Sequence, residues 1–425
     1  MKINKDIFSL KPSATLEINE KVKALRKEGQ TINHFGFGQS PFPIHDEIVN
    51  ELKDHATNNH YLPVDGLEEL RSQVSEFLSK NQGINAEKEQ IFIGPGSKEL
   101  LYQSILIFEG HFLIPKGSWV SYIPQIKSKG GAYSILETSI EHDFKLTAQG
   151  LEEFIQEHDK QEQYILILNS PNNPTGAIYT DEEYKELAEA CRKHEIIVLS
   201  DEIYSQVNFD KDHACSISSY YPEKTIVFGG LSKVFSAGGY RLGYMVLPKE
   251  FASLTKVYRS LFSETFSCVA SPVQYAAVKA YKYSEDIQKY VSEASVILSG
   301  VSSFIFQQLT AYRITCTNPR GAFYMMIGFD QFQDQINALG IRTSKELAIY
   351  LLEEYQVALL PASDFGFQEN ELFFRLAFVD FDGTKAMMAY REKGTVNIDF
   401  LKQECPNMYK GVYQLVKFVN ALKTD

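Results

Sequence analysis

The chain predicts an α/β fold, a mostly parallel central sheet flanked by helices, and three observations carry that expectation. In the middle region, apolar and partly β-branched runs at 164–168, 196–200 and 225–228 alternate with polar segments of helical pattern. Each run ends in a polar or glycine-rich stretch, which reads as a loop at the carboxyl edge of the sheet, where open α/β sheets bind ligands. From about 284 to 312, apolar residues from Ile287 to Ile305 recur at helical spacing and predict one long packing helix.

The run 225–228 passes into Gly229-Gly230-Leu231-Ser232-Lys233, and Arg241 follows eight residues after the lysine. A lysine just past a strand can condense with an aldehyde, with Ser232 beside it as a phosphate anchor. An arginine one or two turns on can clamp the same phosphate through paired donors. Pyridoxal 5'-phosphate carries both groups. Taken alone, the stretch reads equally as two surface cations in a loop. The run 196–200 leads into Asp201-Glu202-Ile203-Tyr204. An aspartate there can pair with a pyridinium nitrogen and make the ring an electron sink, and Tyr204 can reach the ring's phenolic oxygen. The run 164–168 leads into Asn169-Ser170-Pro171-Asn172-Asn173-Pro174-Thr175-Gly176. This is a rigid turn whose Asn173 can donate to that oxygen, or else a plain strand-to-helix connection.

With S-P-N-N-P-T-G, D-E-I-Y, G-L-S-K and R-L-G in this order, the chain resembles the class I/II aminotransferases of pyridoxal-phosphate fold type I, aspartate aminotransferase-like. Gly230 stands where some members have a phosphate-binding serine. The resemblance implies a large coenzyme-binding domain at 46–285. It also implies a smaller α+β domain built from both chain ends, 1–45 and 286–425, joined to the large one by the long helix.

Further segments gain meanings from the same resemblance. Gly38, within 35–43, belongs to the stretch that lines the substrate carboxylate pocket together with Asn173. Tyr61, in the Y-x-x-x-x-G-x-x-x-L-R-like run at 61–71, matches a tyrosine that reaches the partner subunit's phosphate, which implies a homodimer. Gly96, Ser97 and Lys98 match the phosphate cup, where a glycine turn and a helix start leave backbone N–H groups facing an anion. Trp119, the single tryptophan, matches the residue that stacks on the coenzyme ring, although lone tryptophans are often plain core residues. Arg375, within 372–378, matches the arginine that holds the substrate α-carboxylate. An arginine inside an apolar strand is costly unless paired, by that carboxylate or by a structural salt bridge. In the turn at 357–366, Ala362 replaces a glycine of the family pattern, so a different turn shape is expected there.

The implied activity is transfer of an amino group from an α-amino acid to a 2-oxo acid by a ping-pong mechanism, with Lys233 as the catalytic base. Two alternatives stay open. One is a lyase on the same scaffold, of carbon-sulfur lyase or aminocyclopropane-carboxylate-synthase-like type. The other is a non-catalytic pyridoxal-phosphate-binding regulator, which the start of the family pattern near residue 33 disfavours. Aspartate, aromatic amino acids, methionine and alanine are all open as substrates.

Composition agrees with a large buried core: 425 residues, 44% hydrophobic and 23% charged. A net charge of -12 with pI near 5.4 argues against nucleic acid and anionic membrane surfaces as partners. Cys191, Cys215, Cys268, Cys316 and Cys405 are scattered and odd in number, without metal spacing, so neither a disulfide framework nor a metal site is expected. A reducing cytoplasm is the expected setting. Residues 1–8 lead into a polar stretch without a signal-type apolar core, and no later run reads as spanning a bilayer. The stretch 379–406 reads as an insertion whose Asp380 and Asp382 could bind a cation, but a solvated acidic turn is the preferred reading, since metal sites need more converging ligands.

Overall fold

The computed structural model describes residues 2, 5–8, 10, 12, 14–158, 161–209 and 216–422. Cys215 and, in the opening segment, Met1, Ile3 and Asn4 lie outside them. Seven strands form the main sheet: β1 (Ile91–Gly94), β2 (His111–Pro115), β3 (Ala132–Leu136), β4 (Tyr164–Asn169), β5 (Ile197–Asp201), β6 (Thr225–Gly230) and β7 (Gly243–Val246). Their order is β1-β7-β6-β5-β4-β2-β3. β7 runs antiparallel to both neighbours, and every other pairing is parallel.

Parallel strands joined by helices are covered on both faces, which is why these runs are apolar without interruption. In β4 and β5 the side chains divide by pleat. Ile165, Ile167, Ile197 and Leu199 pack on one face with Leu101 and Phe262. Leu166, Leu168 and Val198 pack on the other with Leu187 and Cys191. The three strands expected from the sequence are all present, each one or two residues longer or shifted at its carboxyl end.

A second, four-stranded sheet contains β8 (Thr315–Cys316), β9 (Tyr324–Gly328), β10 (Leu360–Pro361) and β11 (Phe373–Ala377), in the order β10-β11-β9-β8 and antiparallel throughout. Near the amino end, Asn33–His34 pairs in parallel with Val357–Ala358. The first and last parts of the chain therefore fold against each other.

Helix Glu285–Ala311 begins at Ser284, whose side chain accepts the Ile287 N–H. By length and composition alone this helix could cross a membrane, contrary to the expectation that no run would. Its apolar stripe is instead part of the core, with Ile287, Ile297, Val301, Ile305 and Leu309 fully buried. The turn containing Ala362 is a short helical turn, Ala362–Phe365, and the left-handed residue it needs is Gly366, with φ 89°.

The stretch 379–406 folds as helices Gly383–Lys393 and Ile398–Glu404, ahead of a closing helix Pro406–Ala421. Of the acidic turn expected there, Asp382 is exposed, whereas Asp380 is partly buried and tied down. Asp380 accepts from Arg26 Nη2 at 2.6 Å, the His34 N–H at 3.0 Å and Asn407 Nδ2 at 3.1 Å. Asp382 caps the helix that follows, taking the N–H groups of Thr384 and Lys385 at 3.1 Å.

Candidate active site

β4, β5 and β6 end side by side. Asn169 is in register with Asp201, and Asp201 with Phe228, so the three loops after them open on one edge of the sheet. Asn169 stitches two of these loops together. Its amide donates to the Asp201 carbonyl at 2.7 Å, and its side-chain oxygen takes the Asn173 N–H at 2.7 Å.

Lys233 lies in the single helical turn Leu231–Val234 directly after β6. Part of the residue faces the cleft, while its amine is walled in and donates to the Gly38 carbonyl at 3.0 Å. The rings of Phe323 and Tyr204 flank the amine at 5.2 and 5.5 Å. Burial pulls its pKa down to about 8, Arg375 and Arg241 push the same way, and Asp201 opposes them. A lysine so placed is neutral often enough near physiological pH to act as nucleophile and base.

Asp201 is buried, and burial raises its pKa to about 6. Three groups hold the carboxylate against that rise. Tyr122 donates its hydroxyl to Oδ2 at 2.8 Å, the Ile203 N–H reaches Oδ1 at 3.3 Å, and the Lys233 charge attracts it. Trp119 stands edge-on to Tyr122, with ring centroids 5.4 Å apart, and the Lys98 ammonium lies 4.9 Å over its ring.

On the adjoining side, Gly96 is the cap of helix Ser97–Ile107 and has φ 96°, a conformation glycine adopts without strain. A Cβ there would lie 2.5 Å from Arg241 Nη2. Arg241 is held by the backbone carbonyls of Gly238, at 2.9 Å, and Pro95, at 3.4 Å. Ser97 and Lys98 start the helix, where backbone N–H groups have no intrahelical acceptor. Gly230 has no room for a serine, since an added Cβ would meet the Leu242 carbonyl oxygen at 2.8 Å. Ser232 sits half-buried beside Lys233.

Arg375 is 1% exposed and reaches in from β11. Its Nη1 donates to the Asn173 side-chain oxygen at 3.1 Å and its Nη2 to the Gly36 carbonyl at 2.7 Å. Its Nε is buried and takes no partner, and among the described residues it forms no salt bridge. A structural ion pair therefore does not account for its burial.

Lys233, Asp201, Tyr204, Asn173, Gly38 and Arg375 are brought together, with Arg241, Gly96, Ser97 and Lys98 on the neighbouring side. Tyr61 is not: it is 90% exposed and makes no contact with the cluster among the described residues. Two residues of the cluster escape a reading of the sequence. Tyr122, three positions after Trp119, gives only the signal of a second aromatic in an aromatic loop. Tyr324 hydrogen-bonds Tyr204 with hydroxyls 2.9 Å apart, and nothing in its apolar run distinguishes it.

The cluster fits pyridoxal 5'-phosphate. The glycine cradle next to Arg241 suits a phosphate, the buried carboxylate suits a ring nitrogen, and the low-pKa lysine suits an aldehyde. The family model for class I and II aminotransferases matches residues 31–390. An aspartate aminotransferase of Geobacillus stearothermophilus is 34% identical over 378 residues, covering 87% of this chain and 93% of that protein. A probable aspartate/prephenate aminotransferase of Aquifex aeolicus is 32% identical over 371 residues, covering 85% and 90%. Among solved structures, an aspartate aminotransferase from Thermus thermophilus with maleate superposes with a TM-score of 0.83 over 98% of this chain and 99% of that one. At 24% sequence identity, that likeness is one of fold.

Proposed function

The chain belongs to the class I and II aminotransferases, pyridoxal 5'-phosphate enzymes that move amino groups from amino acids to 2-oxo acids, and we propose that its amino donor is a dicarboxylic, aspartate-type amino acid. The observation that carries the substrate orientation is Arg375, a buried guanidinium with an unpartnered Nε beside Asn173. It takes the α-carboxylate edge-on, with Asn173 fixing the approach. When bound, the coenzyme supplies an aldehyde for the amino group and a ring that accepts electron density from the α-carbon.

The residues of the chain do the rest. Lys233, its pKa drawn down to about 8 by burial and neighbouring arginines, takes the α-carbon proton of the donor and returns it in forming the product. Asp201 stays ionised through the Tyr122 hydroxyl and the Ile203 N–H, and it holds a positive ring nitrogen. Tyr204 and Asn173 face the ring's phenolic oxygen. Gly96, Ser97, Ser232 and Arg241 hold the phosphate, and Trp119 covers the ring.

Lys98 is the cation assigned to the donor's second carboxylate. It lies over the Trp119 ring and pairs with no carboxylate among the described residues. The names of the relatives support a dicarboxylic substrate as well. The exposure of Tyr61 supports a homodimer in which that residue completes the partner's phosphate site. The division into a large domain at 46–285 and a small one from both ends, and a cytoplasmic setting, belong to the same proposal.

The test is a screen of amino donors against 2-oxoglutarate, followed by the same screen with Lys98→Ala. Exchange with aspartate, and a KM for aspartate raised at least tenfold by the substitution while that for alanine barely moves, is the expected result. Equal losses for both donors would sink the dicarboxylic reading.

A further inference from the structure

Tyr324 opens β9 of the four-stranded sheet, yet its side chain reaches Tyr204, which follows β5 of the main one. Its hydroxyl is 2.9 Å from the Tyr204 hydroxyl and 3.3 Å from the Gly38 carbonyl oxygen. The face of its ring lies 4.6 Å from Arg375 Cζ. Gly38 carries no side chain where one would collide, because a Cβ there would fall 2.0 Å from Tyr324 Oη. The strand itself is held by the backbone pairing of β9 with β11, not by this phenol. One side chain thus touches the residue that faces the coenzyme, the residue that faces the substrate, and the loop that accepts from Lys233.

We propose that Tyr324 is a positioning residue whose hydroxyl donates to Tyr204, turning the Tyr204 proton toward the coenzyme's phenolic oxygen, while its ring caps Arg375. A phenol has one proton to give and accepts through its oxygen. If Tyr204 gives its proton to a ligand, its 2.9 Å contact with Tyr324 is a hydrogen bond only when Tyr324 donates, and among the described residues Tyr324 is the only hydrogen-bond partner of the Tyr204 hydroxyl. The Gly38 carbonyl oxygen, with two lone pairs, accepts from the Lys233 amine at 3.0 Å and lies 3.3 Å from the Tyr324 hydroxyl, so the 2.9 Å contact to Tyr204 is the shorter of the two open to the Tyr324 proton. Over that shorter contact the proposed proton order runs from Tyr324 to Tyr204 to the ligand. The rings of Tyr324 and Phe365, at 4.6 and 5.4 Å from Arg375 Cζ, cover the guanidinium and leave its edge for a carboxylate.

The inference rests on the coenzyme reading above, and the experiment separates the two. Coenzyme affinity of the apoprotein is followed by quenching of Trp119, the sole tryptophan. The pH midpoint of bound-coenzyme absorbance and the affinity for maleate are measured on the loaded enzyme. Tyr324→Phe keeps the ring and is expected to lower coenzyme affinity about three- to tenfold. It should also raise the absorbance midpoint, because the phenolic anion loses a donor, and should leave maleate affinity within about twofold. In a Tyr204→Phe background the same change should do nothing further to coenzyme affinity or midpoint. Tyr324→Leu, which also removes the ring, should weaken maleate about three- to thirtyfold.

Unchanged coenzyme affinity and midpoint in Tyr324→Phe overturn the inference, as does an equal loss in the Tyr204→Phe background. If Tyr324→Leu fails to fold by circular dichroism, Tyr324→Phe, which retains the ring, still decides between these outcomes. A wild-type apoprotein that never binds the coenzyme overturns the coenzyme reading itself.

Discussion

Arg375 on β11 and Asn173 in the loop after β4 meet, with guanidinium Nη1 3.1 Å from the asparagine side-chain oxygen. The contact ties the proposed carboxylate anchor to the loop after β4. It holds the guanidinium in one plane, because Gly36 takes Nη2 at 2.7 Å at the same time.

Arg375→Lys replaces that planar fork by a point charge that cannot serve Asn173, Gly36 and a carboxylate together. The loss expected is about 2–5 kcal/mol in transition-state binding, roughly thirtyfold or more in kcat/KM for every amino donor. Steady-state kinetics with two donors of different side chain check it, and the factor should be the same for both.

Lys233→Ala should abolish borohydride-trapped coenzyme attachment and turnover while leaving the circular dichroism spectrum intact. In the wild-type apoprotein, the rate at which an amine-directed reagent labels residue 233 should rise with pH through a midpoint of about 8. The sign follows from burial, which disfavours the charged amine, so the reactive neutral form appears at lower pH than for an exposed lysine. A midpoint above about 10, the range of an unperturbed lysine, would contradict it.

Tyr122→Phe removes the hydroxyl that donates to Asp201 Oδ2 at 2.8 Å. Burial already raises the Asp201 pKa to about 6, and the hydroxyl holds it down, so its loss moves the value further up. Coenzyme affinity at pH 7 should fall about tenfold, in line with the loss of a hydrogen bond to a charged group. It should recover when the titration is repeated at pH 9, where the carboxylate is again ionised.

Gly96→Ala should be far more damaging than an ordinary surface change. The residue has φ 96°, and the new methyl would lie 2.5 Å from Arg241 Nη2. Strain of about 1–3 kcal/mol is expected, with coenzyme affinity down by roughly tenfold or more. Inorganic phosphate should compete less well in the variant apoprotein, which a phosphate titration of coenzyme binding would show.

Much of this arrangement can be read from residue order, because the signals are local. The β4, β5 and β6 runs are apolar through their length, and the residues that close them, Asn173, Asp201 and Lys233, follow in fixed turns. Lys98, Trp119 and Arg375 emerge from the same order of motifs. Tyr122 and Tyr324 do not, because nothing local marks them. Tyr324 acquires its place only by meeting Tyr204, 120 positions away. Asp380 misleads for the same reason: it sits among polar neighbours and reads as solvated, yet its partner Arg26 is 354 positions distant. The long helix Glu285–Ala311 shows the reverse case, in which the stripe is plain but not what it packs against.

The absent side chain of Gly38 makes positions 38 and 324 a single unit of sequence change. Any descendant that gains a methyl at the first must move or shrink the aromatic at the second in the same step, and would then surrender the cover over its proposed carboxylate anchor. Drift at this glycine is thus barred by an aromatic ring nearly three hundred places further along the chain.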